Sequence, residues 1–259
     1  MKLTELGFPD FEQKKLQELN TFFSTWHERA SGLTFDNNKT ADDIVFDGFF
    51  PYFSAQHLKV LFIGREALEL TGDHYLDLIY SCYKAGKVGS KSLNQAQFHT
   101  LMLRITYGVN HNCCPWDDIP SANEIAQSFA TAEGISFAFM NLSKFSNDSG
   151  HYQADWPLID SFTQAFSTLE ENYFNKQIEI IAPDIIVTMN LEKRLETLGE
   201  LTLLEYTPNA AYFRLKCAER NILLMDLHHF SARKAHEETF YRPILNGLNT
   251  YSSNEKHAG

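Results

Sequence analysis

Apolar residues recur at three- and four-residue steps through positions 10–30, where Leu16, Leu19, Phe22, Phe23 and Trp26 share one side. That spacing predicts an amphipathic helix, with Asp10 after Pro9 as its N-cap. A polar, turn-rich stretch (SGLTFDNNKT) follows, and DGFFPYF leads into KVLFIG, a short apolar run closed by Gly64. Such a run reads as a buried strand, the first central one. ISFAFMN, DIIVTMN and ILLMDLHH repeat the pattern, while LTLLEY and AYFRLKC read as strands around the turn TPNA. Helical spacing occupies 73–85 and 92–107, and a helix begins at Ser121. WPLIDSFTQAFSTLEENYFNKQIEII reads as one long helix stopped by Pro183, and LEKRLETLG as a short one ending at Gly199. KAHEETFYRPILNGLNTY forms the closing helix, HNCCPWDDIPSANE a loop, and SSNEKHAG a fraying tail.

Strands alternating with helices predict an α/β fold, a three-layer α-β-α arrangement with right-handed crossovers and a mainly parallel central sheet. Nearly continuous apolar strands fit, because parallel sheets are covered on both faces. The expected organisation is a single domain. It comprises an N-terminal helical extension over 1–57, a core over 58–248 with a helical insertion at about 73–132, and a tail over 249–259. Such connections bring the carboxyl ends of the strands to one edge, where α/β proteins bind ligands.

The 259 residues are 44% hydrophobic and 21% charged, which argues against disorder, and 21 Phe with 11 Tyr supply ample bulk for a core. Charge narrows the partners. With 22 Lys and Arg against 33 Asp and Glu, the net charge is −11, so any grip on a nucleic acid depends on a few local cations. The N-terminus has no apolar stretch of signal-peptide length, and no run of about 18 apolar residues occurs, so a cytoplasmic protein without membrane association is expected. Cys82, Cys113, Cys114 and Cys217 form no CxxC pair, which predicts reduced thiols and neither a metal nor a cofactor.

Hydrogen-bonding and titratable residues follow four of the apolar strands. Gly64, Arg65 and Glu66 follow the first; Asn141, then Lys144, the second; Asn190 the third; and His228, His229, Phe230 and Ser231 the last. Strands often end in polar turn residues, but an Arg-Glu pair and a His-His pair point further, to a shared pocket.

Gly64-Arg65-Glu66-Ala67, Asn141-Leu142-Ser143-Lys144 and His229-Phe230-Ser231 resemble, in order, the three motifs of the uracil-DNA glycosylase superfamily. These are Gly-Gln-Asp-Pro or Gly-Glu-Ala-Pro, Asn-x-x-Lys, and His-Pro-Ser. IIAPDIIVTMN resembles the family's segment between the second and third motifs, and the likeness extends from about residue 58 to 245. The chain departs from the pattern at Arg65, at Ala67 and Leu68 in place of proline and an aromatic, and at Phe230 in place of proline. It also lacks the cysteine quartet of the cluster-bearing branch.

The resemblance implies a glycosylase-like fold acting on DNA or another nucleobase-containing ligand, with the target base taken out of the stack. Glu66 would stabilise positive charge on the sugar and orient a water, and His229 would hydrogen-bond the departing base, with His228 as its competitor. Asn141 would read the base edge. Phe145, Tyr75 or Tyr83 would provide an aromatic platform, and Arg65, Lys144, Arg233 and Lys234 the cations for phosphates. Gly64, Asn190 and Ser231 complete the expected pocket. Each position also has a plainer reading: Glu66 in a salt bridge, His229 and Asn141 tying strand-end backbone, Arg233 and Lys234 on a solvated helix start. Two other functions compete. One is a non-catalytic member of the fold that binds a nucleotide, nucleic acid or protein. The other is a metal hydrolase built on Asp226, His228, His229 and Glu66, disfavoured because adjacent histidines on a strand face opposite ways.

Overall fold

The computed structural model describes residues 6–150, 153–168 and 171–252. In chain order the strands are β1 (Gly48–Phe49), β2 (Val60–Gly64), β3 (Ala67–Leu68), β4 (Lys87–Val88), β5 (Lys91–Ser92), β6 (Ala138–Asn141), β7 (Ser146–Asn147), β8 (Ile185–Met189), β9 (Leu201–Tyr206), β10 (Ala210–Cys217) and β11 (Arg220–Leu227). The helices are α1 (Asp10–Ala30), α2 (Tyr75–Lys84), α3 (Gln97–Asn110), α4 (Ala122–Ser128), α5 (Trp156–Phe166), α6 (Tyr173–Ile181) and α7 (Arg242–Tyr251).

Seven strands form one mixed sheet in the order β1-β6-β2-β8-β11-β10-β9. The central four, β6, β2, β8 and β11, are parallel, whereas β1, β10 and β9 join antiparallel. The last three strands run as a meander because the connections between them are too short for a crossover. Every residue of β2, β6 and β8 is buried, as strands covered on both faces require. Helices supply that cover. Along β10, Tyr212 packs beside Gly247 of α7 while Cys217 Sγ reaches Asn175 of α6. The pleat sends those two side chains to opposite faces, so α6 and α7 lie on opposite sides of the sheet.

Helix α1 is part of the core. Trp26 is fully buried, its ring centroid 5.8 Å from Phe162 of α5 and 5.4 Å from Phe174 of α6. Truncating such a side chain typically costs about 3–5 kcal/mol. The buried Glu12 carboxylate accepts hydrogen bonds from the Tyr52 and Ser54 N–H groups, tying α1 to the loop before β2.

Several boundaries differ from expectation. Pro9 is the N-cap of α1 and Asp10 its first helical residue. The single long helix from Trp156 is two, because Ser167 leaves helical geometry (φ −119°, ψ 57°) and the Asn172 side chain caps α6 by accepting from Asn175 N–H. Residues Glu192–Leu198 form a 3-10 helix. The closing helix opens with a wide π turn over Glu237–Tyr241, since Pro243 has no N–H to offer the carbonyl four residues earlier. Ser121 caps α4 as expected, in a reciprocal pairing with Glu124. The polar tail from residue 253 onward lies outside the described residues.

Candidate functional site

Strands β2 and β6 end side by side, with Gly64 opposite Asn141. The pairing continues past the sheet: Leu142 N–H donates to Gly64 O (3.0 Å), Ser143 N–H to Arg65 O (2.8 Å), and β3 then pairs with β7. This run brings the first two groups of candidate residues together. The Asn141 amide stands over Gly64, where a Cβ would come within 2.8 Å of Asn141 Oδ1 and 3.0 Å of the Phe139 ring. No side chain could occupy position 64 without moving the amide.

Aromatics border the same spot. Tyr75 stacks on Phe139 at 4.9 Å, and Phe98, in the first turn of α3, lies 6.2 Å from Phe139 and 5.9 Å from the His229 ring. Phe98 thus links the end of β11 to the end of β6. Nothing in the local periodicity marked it, because its role comes from where α3 lands on the sheet.

His229 Nδ1 accepts a hydrogen bond from Ser231 N–H (3.2 Å), which leaves Nε2 as the protonated nitrogen of the neutral ring. Burial, reinforced by the Arg65 charge, pulls its pKa down to about 4, so the imidazole is neutral at physiological pH. His228 is half-buried, and among the described residues its side chain has no hydrogen-bond partner. Ser231 and Arg233 are exposed on the loop that follows.

Glu66 is turned towards the start of α5. Its Oε1 accepts from Asn147 Nδ2 (3.0 Å) and Asp155 N–H (2.9 Å), while Oε2 is buried with no hydrogen-bond partner among the described residues. Burial raises the Glu66 pKa, and those two hydrogen bonds oppose the rise. Arg65 points to the same element, with its guanidinium 4.8 Å from the Trp156 ring centroid and Nη2 donating to Asn190 O (3.1 Å). Arg194 approaches the same Trp156 ring at 3.9 Å while pairing with Asp160. Asn190 sits in the left-handed region (φ 56°). Its turn is held by the Asp226 carboxylate, which accepts from Thr188 Oγ1 (2.6 Å) and Leu191 N–H (3.2 Å). Asn147, Asp155 and Trp156 thus support the site although no strand-end pattern pointed to them.

Three expected residues do not belong to the pocket. Lys144 turns back into the core, where Nζ pairs with the Asp47 carboxylate at 2.8 Å and its side chain is wholly enclosed, so it is not a phosphate contact. Phe145 is fully buried, packed against Phe35 (4.8 Å) and Phe162 (4.9 Å), so no base can stack on it. Tyr83 is likewise a core residue, against Phe129 and His99. Among the described residues no three His, Cys, Asp or Glu side chains converge to hold a metal ion, and Asp226 is spent on its backbone turn. Among the described residues no helix is long and apolar enough to cross a membrane.

A polar cleft of about 390 Å³ adjoins the Glu66 side, lined by Lys39, Asp43, Ser146, Asp148 and Asp155 among others. A larger one, about 580 Å³, lies at the opposite end of the sheet, between α6 and the Lys216 end of β10. Comparison of the chain with protein-family models, with curated proteins and with solved structures found no match in any of the three.

Proposed function

We propose that this chain is a divergent uracil-DNA glycosylase-like hydrolase that cleaves the N-glycosidic bond of uracil or a damaged base in DNA. The observation that carries the reading is the state of His229. A neutral ring with Nδ1 already occupied offers Nε2–H as a fixed donor at the strand-end rim. When the bond between C1′ and the base nitrogen breaks, the base leaves with the electron pair and its carbonyl oxygen gains negative charge. A preorganised donor at that oxygen lowers the barrier, and losing one typically costs about 10²–10³ in rate.

Glu66 is assigned the complementary charge in this reading. Its carboxylate stabilises the cationic sugar and takes a proton from the water that adds to C1′, for which a burial-raised pKa is an advantage. Asn141, with its amide over Gly64, matches a donor and an acceptor on a pyrimidine edge. Tyr75 and Phe98, both half-buried, provide apolar ring surface beside it, in place of the core residue Phe145. Arg65, Arg233 and Lys234 are the cations left for the DNA backbone.

The test is incubation with uracil-containing single- and double-stranded DNA, followed by alkaline scission of abasic sites. Wild-type protein should release base; Glu66→Ala should fall by about 10²–10⁴ and His229→Ala by about 10²–10³. One observation favours a second reading, a non-catalytic member of the fold that binds a nucleotide, nucleic acid or protein: both hydrogen bonds to Glu66 Oε1 come from structural groups. Retention of uracil-containing DNA without any abasic product, across a panel of damaged bases, would decide for it.

A further inference from the structure

Strand β1 is two residues long, and its pairing with β6 stops at Gly48 opposite Phe139, short of Asn141. On that side, among the described residues, the last residue of β6 has no strand to bond to. A carboxylate takes the strand's place: Asp47 Oδ2 accepts the Asn141 N–H at 2.7 Å. Lys144 Nζ donates to both Asp47 oxygens and to the Asn141 carbonyl, each at 2.8 Å. Three donor protons meet three acceptors, so this ammonium has nothing left for a ligand. Gln177 Nε2 of α6 completes the shell on Asp47 Oδ1 at 2.7 Å.

The pair lies deep in the apolar interior. Lys144 and Asp47 side chains are 0% and 1% exposed, and Nζ sits 5.4 Å from the Trp26 ring centroid and 5.9 Å from that of Phe23. Buried ion pairs of this kind are commonly no more stabilising than well-packed apolar residues of the same volume. Stability is therefore a poor reason for ions here; geometry is a better one. Both main-chain groups of a single residue are gripped, and that residue's amide stands over Gly64 at the rim.

We infer that the buried Asp47–Lys144 pair is a positioning device, clamping the main-chain N–H and C=O of Asn141 and so setting the direction in which its amide meets the base. The inference rests on Asn141 being the base-reading group. Lys144 thereby changes role, from an outward cation of the second motif to the inward anchor of its asparagine. Asp47, outside every motif, becomes its partner.

The experiment replaces both ions at once, Asp47→Leu with Lys144→Met, so that no unpaired charge remains and the protein folds. Backbone hydrogen exchange is followed at Asn141, with Ile63 on the neighbouring strand as control. The clamp predicts that Asn141 exchanges about tenfold faster or more while Ile63 is unchanged. On uracil-containing single-stranded DNA the double variant should lose about tenfold in kcat while KM changes by less than about twofold. Unchanged protection of Asn141 in the folded variant overturns the inference, as does a wild-type kcat. If the wild-type protein itself releases no base, the hydrolase reading fails and the exchange measurement alone decides the clamp.

Discussion

Two buried histidines should make this protein acid-labile. His99, in α3, is 9% exposed with Nδ1 on the Tyr83 hydroxyl at 3.1 Å. His74, at the cap of α2, has a buried Nδ1 with no hydrogen-bond partner among the described residues, and its ring packs near Phe46. Burial alone lowers each pKa from 6.5 to about 4. The native state therefore keeps both rings neutral while the unfolded chain takes up protons from pH 6.5 downward. Stability is complete above that pH and is lost progressively as pH falls towards 4. At pH 5 linkage gives a loss of about 2 kcal/mol for each ring, about 4 kcal/mol together, since separate sites add. That is a large part of the roughly 5–15 kcal/mol of a typical domain. His229, also lowered to about 4, adds to the loss, whereas Glu66 and Asp226, whose pKa values burial raises, work the other way and offset part of it. Urea unfolding at pH 7.5 and pH 5.0 measures the difference. His74→Phe removes one titrating ring from an apolar setting and should shrink the pH-dependent loss by about 2 kcal/mol. A His74→Phe protein whose loss between the two pH values equals that of the wild type would refute the reasoning.

Lys144→Met alone strands the Asp47 carboxylate in the core, and urea unfolding should show a loss of about 3–5 kcal/mol, mostly recovered when Asp47→Leu is added. If the single and double variants are equally stable, the pair does not balance charge as described. Gly64→Ala sets a Cβ within 2.8 Å of Asn141 Oδ1, so base release should fall about tenfold or more while the thermal midpoint moves little, because both contacts are with side-chain atoms able to shift. Unaltered base release would show that the amide's place does not matter. Arg65→Gln removes a charge that depresses the His229 pKa, so an NMR titration should find it shifted up from about 4; restored or increased cleavage would show that Arg65 quenches the site. A His229 titration that does not move would exclude any electrostatic coupling between the two.

The strand-end residues were legible as an order along the chain, and only partly in what each faces. Gly64, Arg65, Glu66 and Asn141 do sit together, because adjacent parallel strands bring their own carboxyl ends level. Lys144 and Phe145 carried the wrong meaning because side-chain direction past a strand end depends on which neighbours close over it, here Trp26, Phe23, Phe35 and Phe162. Asp47, Phe98, Asp155 and Trp156 had no pattern to announce them. Each reaches the site from a segment distant in the chain.

Local rules explain much of the rest. Period and apolar run length located α1, β2, β6, β8 and β11, since buried strands and one-sided helices must display their burial in the residues themselves. Turn chemistry ended β2 at Gly64 and started α4 at Ser121. The antiparallel addition of β1 and the inward path of Lys144 came from contacts between distant segments, which no local pattern records. A strand's ending is encoded beside it, but what its last residue faces is set by everything else that packs there.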